Sequence, residues 1–166
     1  MTFLRRGDIV KKKLLTVILI IIIIINFTSC SFKFSPFNED KKPSKNYYTQ
    51  ELLKLIKVEQ PKKVSMFYRE FFEEFTFPNA ETSDIISFLE SLKEDYYIEK
   101  PSDLPETYDY KVYLNFNNKK YAMTIFNEKY ASIYEWDGDY EVDYINMTDV
   151  PLSLNIYGIC KYFIED

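Results

Sequence analysis

The apolar positions change their spacing along the chain, and each spacing predicts a different kind of element. Leu14 to Ile25 is a run of twelve residues in which only Thr16 is polar. Between Thr82 and about Tyr96 the apolar residues recur three and four positions apart, with Thr82 or Ser83 as the cap, which predicts a helix. The first pattern is typical of a membrane-targeting segment, and the second of an amphipathic helix in a folded domain.

Two further helices and one ambiguous segment surround this helix. Leucine and isoleucine spacing predicts a short helix from about Lys45 to Lys57, ending before Pro61. Residues 62–77 fit one helical face but also alternate like a strand and are rich in strand formers, and we prefer the helix. The C-terminal segment predicts a closing helix after Pro151, although Leu152, Leu154 and Ile156 also alternate and Gly158 disfavours a helix.

From Tyr108 onward the pattern becomes short strands separated by turn residues. Asn117-Asn118 and Asp137-Gly138 both suit two-residue hairpins, because these residues tolerate the positive φ of such turns. A three-residue loop at 127–129 gives one face that is apolar throughout, whereas a two-residue loop would bring acidic residues onto it. The apolar face then consists of Val112, Leu114, Phe116, Tyr121, Met123, Ile125, Ala131, Ile133, Tyr140, Val142 and Tyr144.

These elements predict an α+β fold. A four-stranded antiparallel meander from about Tyr108 to Ile145 is covered on one face by the helices that precede and follow it. Residues 47–166 are long enough to form this single domain around one core without disulfides or metals.

The composition excludes several classes of function. The 166 residues contain no histidine, which excludes imidazole-based triads and His-ligated zinc, and only three glycines, which excludes a phosphate-binding glycine-rich loop. The formal net charge is −5, and residues 30–166 hold 16 basic against 25 acidic residues. An acidic domain of this kind repels phosphate backbones, so we expect no nucleic-acid partner.

The N-terminal residues have the layout of an export signal. Three lysines at 11–13 precede the apolar run, and Phe27-Thr28-Ser29-Cys30 follows it. This tetrapeptide resembles the lipobox of bacterial lipoproteins. The resemblance implies cleavage after Ser29 and lipidation of Cys30, so that lipid would anchor the chain to the outer face of the cell membrane. An uncleaved anchor helix and cleavage at an ordinary signal site are the alternatives.

The resemblance divides the chain into three parts. Residues 1–29 are the signal peptide, 30–46 are the lipidated cysteine with a flexible tether rich in Pro, Ser and charge, and 47–166 are the domain. The domain resembles only uncharacterised small surface lipoproteins of AT-rich Gram-positive bacteria.

The second face of the predicted meander is the candidate binding surface. Its aromatic rings and carboxylates suit stacking on sugars or holding cationic groups. The alternative is that this face is merely aromatic-rich and partly covered by the tether or a helix. Besides Lys111, Tyr113, Thr124 and Phe126, the register places there the candidate ligand-binding residues Tyr130, Tyr134, Trp136, Asp139, Glu141 and Asp143.

No motif in the chain predicts a catalytic or metal site. The acids of 137–143 lack the glycine and the bidentate glutamate that an EF-hand loop requires. Cys160 has no histidine to activate it and is predicted to be a buried thiol. We therefore expect a non-catalytic binding module with no cofactor, whose partner is a cell-wall polymer or a protein. The alternative is a small glycan hydrolase that uses paired carboxylates.

Overall fold

The computed structural model describes residues 16–17 and 41–165. The chain divides into two compact units, residues 1–39 and 40–166. In the first unit only the helical residues Thr16 and Val17 are described, so the predicted signal peptide, the lipobox and Cys30 lie outside the described residues. None of the described helices is long and apolar enough to span a membrane.

The second unit is an α+β domain in which seven antiparallel strands form one sheet. The strands are β1 (Lys63–Tyr68), β2 (Glu73–Thr76), β3 (Tyr97–Ile98), β4 (Tyr110–Asn115), β5 (Lys120–Ile125), β6 (Tyr130–Glu135) and β7 (Asp143–Asn146). Their order across the sheet is β2-β1-β4-β5-β6-β7-β3. The predicted meander is the central part β4 to β7, and three strands at the two edges extend it.

Three α-helices and two short 3₁₀ helices complete the domain. The α-helices are α1 (Tyr47–Val58), α2 (Asn79–Ser91) and α3 (Ile156–Glu165), and the 3₁₀ helices span Glu94–Tyr96 and Leu152–Leu154. Side chains from all three α-helices share one core with the sheet, including Leu52, Phe88 and Ile156. The helices therefore pack on the same sheet face, which we call the core face, as the sequence predicted.

The core face carries the apolar positions that alternation predicted in the first three strands of the meander. Val112 pairs with Met123, and Met123 pairs with Ile133 on the next strand. All three side chains are fully buried. The Asn117-Asn118 hairpin is also as predicted, because Phe116 N donates to Lys119 O directly across it.

The register of the last strand was predicted one residue out of place. The connection from β6 to β7 is not a two-residue turn at Asp137-Gly138 but the seven-residue loop 136–142. Ile133 consequently pairs with Asp143, and Ala131 pairs with Ile145. Asp143 thus lies on the core face with no solvent exposure, while Tyr144 lies on the opposite face.

Two of the predicted helices also need correction. Residues 62–77 form the β1–β2 hairpin, because Val64 and Met66 alternate into the core and a turn at 69–72 reverses the chain. The helix predicted to start at Thr82 begins at Asn79 after Pro78 and ends at Ser91, and Tyr96 belongs to a separate 3₁₀ turn.

Candidate functional site

The sheet face opposite the helices, here called the outer face, is the candidate site. Along its centre the side chains are small, and those of Ser65, Ala122, Thr124 and Ser132 are buried. Larger rings flank them: Tyr113 pairs across the sheet with Ala122, and Ala122 pairs with Tyr134. Small buried residues thus lie between the larger rings of this face.

Three residues at one end of the outer face form a compact aromatic and cationic group, the Trp136 cluster. The rings of Tyr113 and Trp136 meet edge to face with centroids 5.7 Å apart. Lys120 Nζ lies 4.2 Å from the Tyr113 centroid and 4.1 Å from the Trp136 centroid. Both distances are within cation–π range, so the ammonium orders the two rings.

The backbone fixes this arrangement. Trp136 N donates to Lys120 O at 2.8 Å, which continues the β5–β6 ladder one residue beyond the end of β6. Lys120 and Trp136 therefore project from the same side of the sheet. Trp136 is nevertheless 47% exposed, which leaves much of the indole available to a ligand.

One carboxylate that interacts electrostatically with Lys120 and Tyr113 already has an ion-pair partner. Glu74 on β2 forms an ion pair with Lys63, with 3.1 Å between the charged atoms. Hydrogen bonds from Lys63 and Ser65 lower the pKa of Glu74, and the charges of Lys63 and Lys120 act in the same direction. A carboxyl group held in its ionised form in this way is poorly suited to act as a general acid.

A loop contacts the opposite end of the outer face. Lys111 Nζ lies 4.6 Å from the ring of Tyr108, and Tyr130 donates a 2.7 Å hydrogen bond to Asp103. Lys129 pairs with the same carboxylate at 3.1 Å. Hydrogen bonds from Tyr130 and Lys129 lower the pKa of Asp103. The loop 99–109, and not a helix, thus partly covers this end.

The structure brings together only part of the predicted ligand-binding set. Tyr134 and Trp136 lie side by side on the outer face, but Tyr130 is six residues from Trp136, about 20 Å along the strand direction. Asp139 and Glu141 are exposed in the loop 136–142.

Asp143 is a structural residue of the core face and does not belong to the binding surface. Its carboxylate accepts hydrogen bonds from the backbone amides of Tyr48 and Thr49, at 3.3 and 2.7 Å, and from the Thr49 hydroxyl at 2.8 Å. Lys42 Nζ, from the segment predicted as tether, completes the group at 2.7 Å. All of its partners therefore come from the chain itself.

Lys120 is the member of the Trp136 cluster that the sequence prediction missed. Two-residue alternation from Thr124 through Ala122 places it on the outer face, so the signal was present. Within the described part of the chain no group of three or more acidic or cysteine side chains could hold a metal ion. Cys160 is fully buried as predicted, and burial raises the pKa of its thiol.

Comparison with known proteins gives the chain a family and a structural relative. The domain is similar to a crystal structure named "Putative Lipoprotein from Clostridium perfringens", with 29% sequence identity and a TM-score of 0.68, over 75% of this chain and 99% of that chain. Among curated proteins none matches. Residues 42–160 match the family described as Domain of unknown function (DUF4883). That match spans the sheet and almost all of the helices, and the chain therefore belongs to the DUF4883 family.

Proposed function

We propose that the protein is a lipoprotein anchored through Cys30 to the extracytoplasmic side of the bacterial cell membrane. We further propose that its domain binds a cell-wall glycan on the outer face of the sheet. The observation that carries the binding proposal is the Trp136 cluster. It presents a half-exposed indole, ordered by Lys120, on a surface bordered by further tyrosines.

Two independent observations support the location. The tetrapeptide Phe27-Thr28-Ser29-Cys30 resembles a lipobox after a short apolar run bounded by lysines. The similar structure from Clostridium perfringens carries the name "Putative Lipoprotein". Two or three acyl chains on one cysteine would hold the domain stably at the membrane surface.

The chemistry of the outer face favours a glycan. Aromatic side chains combine a large apolar surface with a polar tip, which suits ligands that are apolar on one face and hydroxylated at the edges. The 16 basic and 25 acidic residues of positions 30–166 disfavour a polyanionic polymer on electrostatic grounds. Neutral or amino-sugar strands of the wall fit both features.

Binding without catalysis is supported by the state of the nearby carboxylates. Glu74 is paired with Lys63, and Asp143 faces the core and is bonded to α1. Neither is a free carboxyl group on the outer face, whereas glycosidases use two carboxyl groups that flank the bond to be cleaved. The domain would hold a wall polymer and leave it intact.

The test is co-sedimentation of the full chain with purified bacterial wall sacculi. Trp136→Ala, and the double variant Trp136→Ala with Tyr134→Ala, should reduce retention at least about fivefold, because exposed aromatic anchors dominate such interfaces. Phe71→Ala is the matched control, since Phe71 is an aromatic residue in the turn 69–72 that is 63% exposed. Equal retention of all variants, or release of soluble glycan fragments, would contradict the proposal.

A further inference from the structure

A cleft on the helical side of the domain lies far from the outer face in the fold and has a different chemistry. It has a volume of about 540 Å³, within the range typical of small-molecule sites. Helix α2 supplies Glu81 and Asp84 to its wall, and α3 together with the preceding 3₁₀ turn supplies the rest. We call it the α2–α3 cleft.

The acidic wall of the cleft has no cationic partner within residues 41–165. Glu81 and Asp84 are three positions apart, so both side chains lie on the same side of α2. Neither forms a salt bridge with any described residue, and no basic side chain lines the cleft.

One carboxylate oxygen of this acidic wall is buried without a hydrogen-bond partner. Glu81 Oε2 is shielded from solvent and has no hydrogen-bond partner, and it is the only such side-chain atom among the described residues. Native proteins seldom leave a buried polar atom unpaired, because the lost hydration is not recovered. The position of Glu81 in the first turn of α2 explains an acidic residue through the helix dipole, but it does not supply a donor to this oxygen.

The opposite wall is mainly apolar, and its Phe163 packs against the rest of the domain. Ile159, Tyr162 and Phe163 are spaced at i, i+3 and i+4 on α3, so they share one face of that helix. The ring of Phe163 packs against that of Phe77, with centroids 4.5 Å apart. Leu152, 91% exposed, lies at the cleft on the preceding 3₁₀ turn.

From the two walls we infer that the α2–α3 cleft binds a small organic cation, namely an ammonium group carried on an apolar or aromatic body. The ammonium donates to the Glu81 carboxylate and is neutralised by Glu81 and Asp84, while the body packs against Tyr162 and Phe163. A metal ion fits less well, because calcium requires six to eight oxygen ligands, and the cleft offers two carboxylates and the hydroxyls of Ser153 and Tyr162 beside apolar side chains.

The test uses the full chain in a non-ionic detergent and isothermal titration calorimetry, with 4-phenylbutylammonium as the probe and protein-free micelles as the blank. We expect saturable binding by the wild type. Glu81→Gln should weaken it about tenfold or more, because a charge-assisted hydrogen bond is lost. The neutral analogue 4-phenylbutanol should bind at least tenfold more weakly than the cation to the wild type.

Two controls make the result specific to the cleft. Glu90→Gln removes an exposed carboxylate from the same helix and should leave the affinity within twofold of the wild type. Trp136→Ala alters the outer face and should also leave it unchanged, which separates this inference from the proposed glycan site. Absence of binding, equal affinity for the alcohol, or equal losses in Glu81→Gln and Glu90→Gln would each overturn the inference.

Discussion

The carboxylate of Asp143 on β7 accepts a 2.7 Å hydrogen bond from the backbone amide of Thr49 in the first turn of α1. Asn46, at the N-cap position of this helix, makes no side-chain capping bond. Asp143 therefore caps the helix from a strand almost a hundred residues away, and its negative charge faces the positive end of the helix dipole. The contact joins the helical layer to the sheet.

Replacing Asp143 should destabilise the fold strongly. Asp143→Asn keeps the size of the side chain but removes the charge, which leaves Lys42 unpaired and weakens the bonds to α1. We expect a loss of about 2–4 kcal/mol in the free energy of unfolding, measured by urea denaturation. Asp139→Asn, at an exposed loop position nearby, is the control and should change stability by less than about 0.5 kcal/mol.

The two glycines of the domain should respond in opposite directions to alanine. A Cβ at Gly138 would overlap the Tyr48 hydroxyl oxygen and lie 2.7 Å from Tyr48 Cζ. Tyr48 cannot move away easily, because it is 1% exposed and its hydroxyl exchanges hydrogen bonds with both backbone groups of Tyr140. Gly138→Ala should therefore cost about 1–3 kcal/mol.

Gly158 offers the opposite case. The nearest atom to a Cβ there is Leu152 O at 3.8 Å, an ordinary contact, and the residue lies within α3. Gly158→Ala should stabilise the protein by about 0.5–1 kcal/mol through the higher helix propensity of alanine. Thermal unfolding of both variants tests the pair, and a stabilised Gly138→Ala or a strongly destabilised Gly158→Ala would contradict the packing described for these positions.

Alkaline pH should weaken the fold through its buried tyrosines. Burial raises the pKa of Tyr97 to about 12, and the charge of Asp143 acts in the same direction, although a hydrogen bond with Thr49 opposes them. A tyrosine with a raised folded-state pKa contributes its full stability below the unfolded pKa of about 10 and loses it as the pH rises to 12.

The variant Tyr97→Phe isolates this contribution. Between pH 10 and 12 the wild type should lose on the order of 2 kcal/mol more than the variant in urea denaturation, since each pKa unit corresponds to about 1.4 kcal/mol. Parallel pH dependence of the two proteins would show that Tyr97 ionises as easily in the folded state as in the unfolded chain.

The thiol of Cys160 should be inert in the native protein. It is fully buried in the core, so a reagent cannot reach the sulfur. Burial also raises the pKa of the thiol, so little of the reactive thiolate forms. We expect no labelling of the peptide containing Cys160 by iodoacetamide at pH 8, and complete labelling in denaturant, as located by mass spectrometry. Rapid native labelling would contradict the packing of α3 on the sheet.

The centre of the sheet could be predicted from the sequence because each of its signals is local. Alternation identified β4, β5 and β6, and Asn117-Asn118 fixed their first turn. The register of β7 could not be predicted in this way. The register was chosen so that the core face is apolar throughout, and this criterion excludes any register that buries a carboxylate, as the true one does. Asp143 is stable on the core face only because distant partners, Lys42 and the start of α1, satisfy its charge.

The β1–β2 hairpin shows a second limit of sequence patterns. Phe71 and Phe72 extended the apparent helical stripe of residues 62–77, yet both are exposed in the turn, at 63% and 79%. Phe72 has a φ of 56°, a conformation that phenylalanine rarely adopts and that no local rule would have assigned to it. Its ring lies 6.3 Å from that of Phe67, an interaction formed only once the strands pair.

The candidate site was predictable in part for the same reason. Tyr134 and Trp136 alternate on one strand, so their shared face followed from the sequence. Tyr113 and Lys120 reach Trp136 from neighbouring strands, and their closeness depends on the register of β4, β5 and β6 together. Asp143 was assigned to this face only because the last strand was predicted one residue out of register.

The central claim, that the outer face binds a wall glycan at the Trp136 cluster, has a direct optical test. Trp136 is the only tryptophan in the chain, so tryptophan fluorescence reports this position alone. Titration of the full chain with soluble fragments of wall glycan should change the emission saturably, and the change should follow the same curve as binding measured by calorimetry. Binding detected by calorimetry with unchanged emission, or no binding at all, would contradict the account.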